Sequence, residues 1–187
     1  MLTGKEIIER VKTGDITIEN FTPDRINPNS YNLKLSPALR VYDIRSYTGD
    51  PTDIIPLDMR KDNPTKIIMI PEEGMVLQPG ILYLGSTEEY TECKDLIPCI
   101  DGRSSIARLG ICIHVTAGFG DIGFKGKWTL EITVVHPIRI YPHCEICQIY
   151  YEIPDGDTSI QYNGKYQDQR GPTASRMFMD PSANTCL

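Results

Sequence analysis

Apolar and polar positions alternate with two different periods along this chain, and the change of period divides it. Near the start, Ile7, Ile8 and Val11 fall on one face of a 3.6-residue repeat and predict a short helix. Thr3 stands at the N-cap, Glu6 three residues later completes a capping box, and Leu2 and Ile7 fit a hydrophobic staple. Gly14 supplies the stop. Beyond it the period shortens to two. Tyr31, Leu33 and Leu35 alternate with polar neighbours, and residues 66–70, 74–77, 81–84, 111–116, 128–135, 138–141 and 145–153 read as further short strands. Pro71, Pro79-Gly80, Pro98, Gly102, Gly110, Pro137 and Pro142 punctuate them. Many short strands with one helix predict an all-β barrel or sandwich. After Pro154 the alternation stops. Asp155-Gly156-Asp157 reads as a turn, residues 161–176 are polar and basic-aromatic, and residues 177–187 have the composition of a loose tail.

Composition narrows the function classes. A chain of 187 residues with 40% hydrophobic and 24% charged residues suits one domain with a single core. A net charge of -6 argues against a general nucleic-acid binder, which needs a basic face. No run approaches a membrane span, and the first residues lack a signal-peptide core, so a soluble, cytoplasmic protein without a membrane partner is expected. Of the six cysteines, Cys99, Cys112 and Cys147 lie in apolar runs and are expected as buried thiols; a disulfide framework is not expected.

Three segments carry candidate chemistry. Residues 101–110 follow an apolar strand and place Arg103, Ser104, Ser105 and Arg108 within six positions. Guanidinium forks and hydroxyls suit phosphate oxygens, while a turn leading into a solvated helical turn would use the same residues without a ligand. The Walker spacing is absent. Residues 116–126 set four glycines around Asp121, which suits either close approach of backbone to a ligand or a long hairpin loop. In the strand that follows, Trp128, Leu130, Ile132 and Val134 share one face, and Thr129, Glu131, Thr133 and Val135 the other. Glu131 is the only charge there. It must reach solvent or carry a raised pKa, and the second option suits a proton shuttle. Pro142-His143-Cys144-Glu145-Ile146-Cys147 imitates a zinc-deaminase signature, but its His-x-Glu overlaps the Cys-x-x-Cys instead of preceding it, so buried cysteine is the reading preferred here.

Together, residues 101–110, 116–131 and 164–176 resemble the dCTP deaminase family. Residues 27–35 and Leu77-Gln78-Pro79-Gly80 are similar to further blocks of it, and the likeness runs from about residue 2 to 176. Asn32 stands where an aspartate is frequent, a difference read as structural. The resemblance implies a distorted β-barrel of the dUTPase-like, jelly-roll or β-clip type. It also implies a homotrimer with active sites between subunits, Mg²⁺ carried on the triphosphate, no zinc, and dTTP as a feedback inhibitor. Arg103, Ser104, Ser105 and Arg108, with Ile106 and Ala107 in the same segment, would bind phosphates or position water. Asp121 would hold the deoxyribose 3′-hydroxyl. Thr129, Leu130 and Glu131 would line the base, and Gln148, Tyr162, Lys165 and Gln169 would close over the nucleotide, residues 161–176 acting as a lid. The gap from Tyr162 to Lys165 is shorter than usual in the family.

The family has a branch that deaminates dCTP to dUTP, with Thr-Ala-His-Arg in the loop, and a branch that goes on to dUMP and pyrophosphate, with Thr-Ala-Gly followed by Phe or Trp. Thr116-Ala117-Gly118-Phe119 is similar to the second. Gly118 is expected to leave open space beside the base-side water. Gly120 and Ile122 depart from that branch's pattern, and Gly120 is expected to loosen the loop. In the implied mechanism, Glu131 takes a proton from a water held by Ser104 and the Ala117 carbonyl. The alternatives are a deaminase that stops at dUTP, a dUTPase, which has no use for Glu131, and a non-catalytic nucleotide-sensing relative.

Overall fold

The computed structural model describes residues 1–45 and 53–185, so Cys186 lies outside the described residues. In chain order they form α1 (Gly4–Thr13), β1 (Ile16–Ile18), β2 (Tyr31–Lys34), β3 (Ala38–Tyr42), β4 (Thr65–Met69), β5 (Met75–Leu77), β6 (Tyr83–Cys93) and β7 (Ile97–Gly102). Then come α2 (Ser104–Ala107), β8 (Ile111–Cys112), β9 (Lys125–Val134), β10 (Ile138–Ile140), β11 (Glu145–Glu152) and α3 (Pro181–Thr185). The strands pair antiparallel in three sheets: β4-β3-β6-β9-β8 with β1 also on β6, β2-β11-β7, and β10-β5. The sheets enclose one core that includes Tyr31, Leu33, Leu39, Leu77, Leu130, Ile132, Ile149 and Tyr151. This is the all-β architecture that the period-two pattern predicts. Among the described residues no helix is long and apolar enough to cross a membrane.

The first helix starts as predicted. Thr3 Oγ1 accepts the Glu6 N–H at 3.3 Å, and Gly14 closes the helix in the left-handed conformation at φ 81°. Only half of the capping box forms, because the Glu6 carboxylate turns to Arg10 Nε at 2.9 Å. That pair lies one helical turn apart and follows the helix surface.

Strand β6 is eleven residues long, where alternation suggested an end at Leu84. Its second half is polar in sequence yet buried in place: Thr87, Glu89 and Thr91 are each almost fully enclosed. Each has a partner. Glu89 pairs with the buried Arg25 and accepts the Lys34 N–H at 3.0 Å. The Thr87 hydroxyl donates to the Glu89 carbonyl and accepts the Trp128 N–H, both at 2.9 Å. Burial of polar groups is tolerated where hydrogen bonds replace water, and the polar residues hide the strand from a hydrophobicity pattern.

Two further expectations need correction. The strand expected over residues 111–116 stops at Cys112, which is exposed and not buried; β9 continues its pairing with the Ile113 carbonyl, which accepts the Glu131 N–H at 2.9 Å. The tail is not loose throughout. Met177–Met179 make a tight turn, α3 follows, and Ala183 is fully buried. Cys93, Cys99 and Cys147 are buried free thiols, and burial pushes the Cys93 thiol up to about 12.

Candidate active site

Strand β9 sets the geometry. Its burial alternates along the whole length, with Trp128, Leu130, Ile132 and Val134 packed inward. Thr129 and Glu131 therefore face away from that core and reach a cavity of about 540 Å³. The volume suits a small organic ligand. Ala117, Phe119, Asp121, Tyr162 and Gln169 line the same cavity. The half-buried Glu131 carboxylate accepts the Val115 N–H at 3.1 Å, which holds it at the wall.

The glycine loop is fixed to the neighbouring sheet. The Ile100 N–H donates to the Gly118 carbonyl at 2.6 Å, and the Gly120 N–H to the Pro98 carbonyl at 2.7 Å, so 118–120 runs along the edge of β7. Asp121 leaves that edge in a turn whose Phe124 N–H returns to its carbonyl at 3.1 Å. The space beside Gly118 is not open as expected. A Cβ there would lie 2.9 Å from the His114 ring, and Gly118 does not line the cavity. Nor is Gly120 a loosening residue: a Cβ there would lie 2.4 Å from the Trp128 ring. Both glycines are sockets for a neighbouring ring.

Residues 161–176 close one side as a strap along β9. The Lys127 N–H donates to the Gln169 carbonyl and the Asp168 N–H to the Lys125 carbonyl, both at 2.9 Å. The Thr129 hydroxyl donates to Gln169 Oε1 at 3.3 Å and accepts the Thr173 N–H at 3.2 Å. The Ser175 N–H reaches the Tyr42 hydroxyl at 3.0 Å. On the outer side, Tyr90 Oη donates to Asp168 Oδ1 at 2.7 Å, and the Arg170 guanidinium lies 4.4 Å from the Tyr90 ring. Burial and the Asp168 carboxylate together push the Tyr90 hydroxyl up to about 12.

The anion set lies apart from this cavity. Ser104 and Ser105 belong to the helical turn α2, and both are exposed together with Ala107 and Arg108; Ile106 packs against the core. Arg103 Nη1 donates to the Glu145 carbonyl at 2.8 Å and pairs with its carboxylate at 3.1 Å. Asn32 donates to the same carboxylate at 2.8 Å. An aspartate at 32 would oppose Glu145 with like charge, so the amide suits this setting. Gln148 donates to the Gly102 carbonyl at 2.9 Å and belongs to this second group. Among the residues of the implied site, Ala117, Phe119, Asp121, Thr129, Glu131, Tyr162 and Gln169 are thus brought together. Arg103, Ser104, Ser105, Arg108 and Gln148 do not line this cavity. Lys165 pairs with Asp180 and does not line the cavity. The Leu130 side chain is 1% exposed and points into the core, as alternation along β9 requires; only its backbone could meet a ligand.

Tyr42, Leu82, Leu84, Val115, Phe124, Trp128, Tyr166, Ala174 and Ser175 also line the cavity. The strap residues sit in the segment already marked as a lid, but Tyr42 and Leu84 arrive only through pairing of β3 with β6 and of β6 with β9. The zinc-like segment is dispersed. His143 turns to Glu88, the Cys144 thiol to the Tyr141 carbonyl at 3.1 Å, and Cys147 is fully buried.

The family described as dCTP deaminase-like matches residues 1–153. A Leptospira biflexa protein named "dCTP deaminase, dUMP-forming" is 50% identical over 180 residues, covering 96% of this chain and 97% of the relative. Proteins of the same name from Clostridium beijerinckii and Clostridium acetobutylicum are 51% and 53% identical, each over 96% of this chain and 98% of the relative. The crystal structure of 2′-deoxycytidine 5′-triphosphate deaminase from Agrobacterium tumefaciens superposes with a TM-score of 0.60 at 23% identity, which shows a shared fold. The match covers 82% of this chain and 48% of that one, so this chain spans about half of that structure's length. The chain therefore belongs to the dCTP deaminase-like family.

Proposed function

We propose that this chain is a dCTP deaminase of the dUMP-forming type, acting in the cytoplasm in the supply of pyrimidine deoxynucleotides. The observation that carries the reading is half-identity to relatives of that name across nearly their whole length, together with the Glu131 carboxylate held at the wall of a nucleotide-sized cavity.

Glu131 takes a proton from a water beside the Ala117 carbonyl, and the oxygen attacks C4 of cytosine. The proton passes to N3. The C4–N4 bond then breaks, ammonia departs with a proton relayed by Glu131, and the C4 oxygen becomes the uracil carbonyl. One carboxylate serves every transfer because it lies between nucleophile and ring. Asp121 anchors the 3′-hydroxyl, and Gln169 and Tyr162 cover the nucleotide. A second water then attacks the α-phosphorus, releasing dUMP and pyrophosphate.

This chain's phosphate-binding cluster lies away from its own cavity, which supports a homotrimer in which Ser104, Arg103 and Arg108 of one subunit complete the site of the next. Mg²⁺ would come with the triphosphate and offset its charge; the two arginines suit the remaining oxygens. dTTP shares the sugar and phosphates and would compete for the same site. Incubation with dCTP and Mg²⁺, with ammonia, dUTP, dUMP and pyrophosphate quantified, tests the proposal. Ammonia with dUMP and pyrophosphate is expected. Accumulating dUTP would refute the second step, and intact dCTP with hydrolysis of added dUTP would make the protein a dUTPase.

A further inference from the structure

Trp128 is the single tryptophan of the chain and sits beneath the glycine loop, where a Cβ on Gly120 would lie 2.4 Å from its Cη2 and 3.1 Å from its Cζ3. Such contacts are relieved cheaply only if the ring can swing. It cannot swing freely. Its Nε1 donates to Thr91 Oγ1 at 2.9 Å, and its ring packs on Phe124 with centroids 4.7 Å apart. Phe124 in turn meets Tyr162 edge-on at 5.8 Å. The other side of the loop is pinned by the Gly120 N–H on the Pro98 carbonyl at 2.7 Å. Gly120 is thus clamped between a ring and a strand edge, one residue before Asp121.

We infer that Gly120 and Trp128 are a size-matched pair that positions Asp121, and that this fit governs how far a bound nucleotide proceeds to triphosphate cleavage. The inference rests on the proposed function for the role of Asp121, not for the packing. Deamination depends on Glu131, whose place is set by β9 pairing with β6 on one side and by the Ile113 carbonyl on the other. A shift at Gly120 leaves that ladder intact, and the Ile100 N–H bond to the Gly118 carbonyl at 2.6 Å anchors the loop beside Ala117. In-line attack on the α-phosphorus depends on the sugar, which Asp121 holds, and small misplacements of a reacting group cost large rate factors. Trp128 and Gly120 touch no reacting atom in this scheme and act as positioning residues.

The test is a cycle of Gly120→Ala, Trp128→Phe and the double variant. Alanine strikes the outer indole ring. Phenylalanine removes that ring's outer atoms and leaves a void, which the alanine methyl then fills in the double variant. The product ratio from dCTP and the melting temperature are read for all four proteins. Gly120→Ala should raise the dUTP to dUMP ratio about tenfold, with a smaller loss of ammonia release. The double variant should return the ratio to within about twofold of wild type, and its melting temperature should lie above the value expected from adding the single effects. The double variant still lacks the bond to Thr91, so its recovery reports the filled contact. Additive behaviour in melting temperature would overturn the pairing. Coupled melting temperatures with an unchanged product ratio would overturn the positioning role. A wild-type protein that leaves dCTP intact would refute the proposed function, and the melting cycle would then decide the pairing alone.

Discussion

Replacing Glu131 with glutamine removes the proposed proton acceptor and little else. The carboxylate is half-buried and accepts one backbone bond, from the Val115 N–H at 3.1 Å. The glutamine carbonyl can accept the same bond, so the structural loss is the difference between a charged and a neutral acceptor, about 1 kcal/mol or less. For a chain of this size that shifts the melting temperature by about 2–4 °C, small against a typical native stability of about 5–15 kcal/mol. The chemical loss is larger. A positioned general acid–base contributes roughly 10²–10⁴ in rate, equivalent to about 3–5 kcal/mol of barrier. Glu131→Gln should therefore fold, retain dCTP affinity in calorimetry, and release ammonia at least about a hundredfold more slowly. Hydrolysis of added dUTP should survive better, because the proposed second step does not use Glu131. Near-wild-type ammonia release by a folded variant would refute the assignment of Glu131 as the proton shuttle.

Three other expectations follow from named contacts. Arg25→Met should strand the buried Glu89 charge and cost about 3–5 kcal/mol in denaturant unfolding, and adding Glu89→Gln should recover part of it; a double variant less stable than Arg25→Met would contradict the ion-pair account. The Tyr90 hydroxyl is raised from 10.0 to about 12, so its neutral form is the one favoured in the fold; its contribution is whole below pH 10 and is lost as pH rises through 12. Trp128 fluorescence should thus report strap release over that window in wild type but not in Tyr90→Phe, and identical alkaline steps would remove Tyr90 from the strap's anchorage. Arg108→Ala and Glu131→Gln should each be inactive alone, whereas co-expressed they should regain roughly a quarter of the wild-type sites by random mixing; failure of mixed assemblies to exceed the separate proteins would argue against a site shared between subunits.

Local rules were enough for some of this protein. The N-cap at Thr3 and the stop at Gly14 depend on residues next to them in the chain, so they were legible. The placement of Glu131 was legible for the same reason: in a strand, neighbouring side chains take opposite faces, and only one face of residues 128–135 carries a charge. The family resemblance supplied further candidates that no spacing argument singles out, and of these Tyr162 and Gln169 reach the cavity while Gln148 and Lys165 do not. What the pattern could not reveal depends on partners distant in sequence. The polar half of β6 is a buried strand because Arg25, Lys34 and Trp128 supply its hydrogen bonds. Gly118 and Gly120 read as freedom along the chain but as sockets in space, because His114 and Trp128 occupy the room beside them. The anion cluster and the carboxylate share one domain, yet β7 and β11 carry the first away from the cavity that β9 gives the second. Sequence determines which faces and caps are available; which distant residue fills each one is decided only when the sheets pack, because a buried polar group is stable only beside the partner that replaces its water.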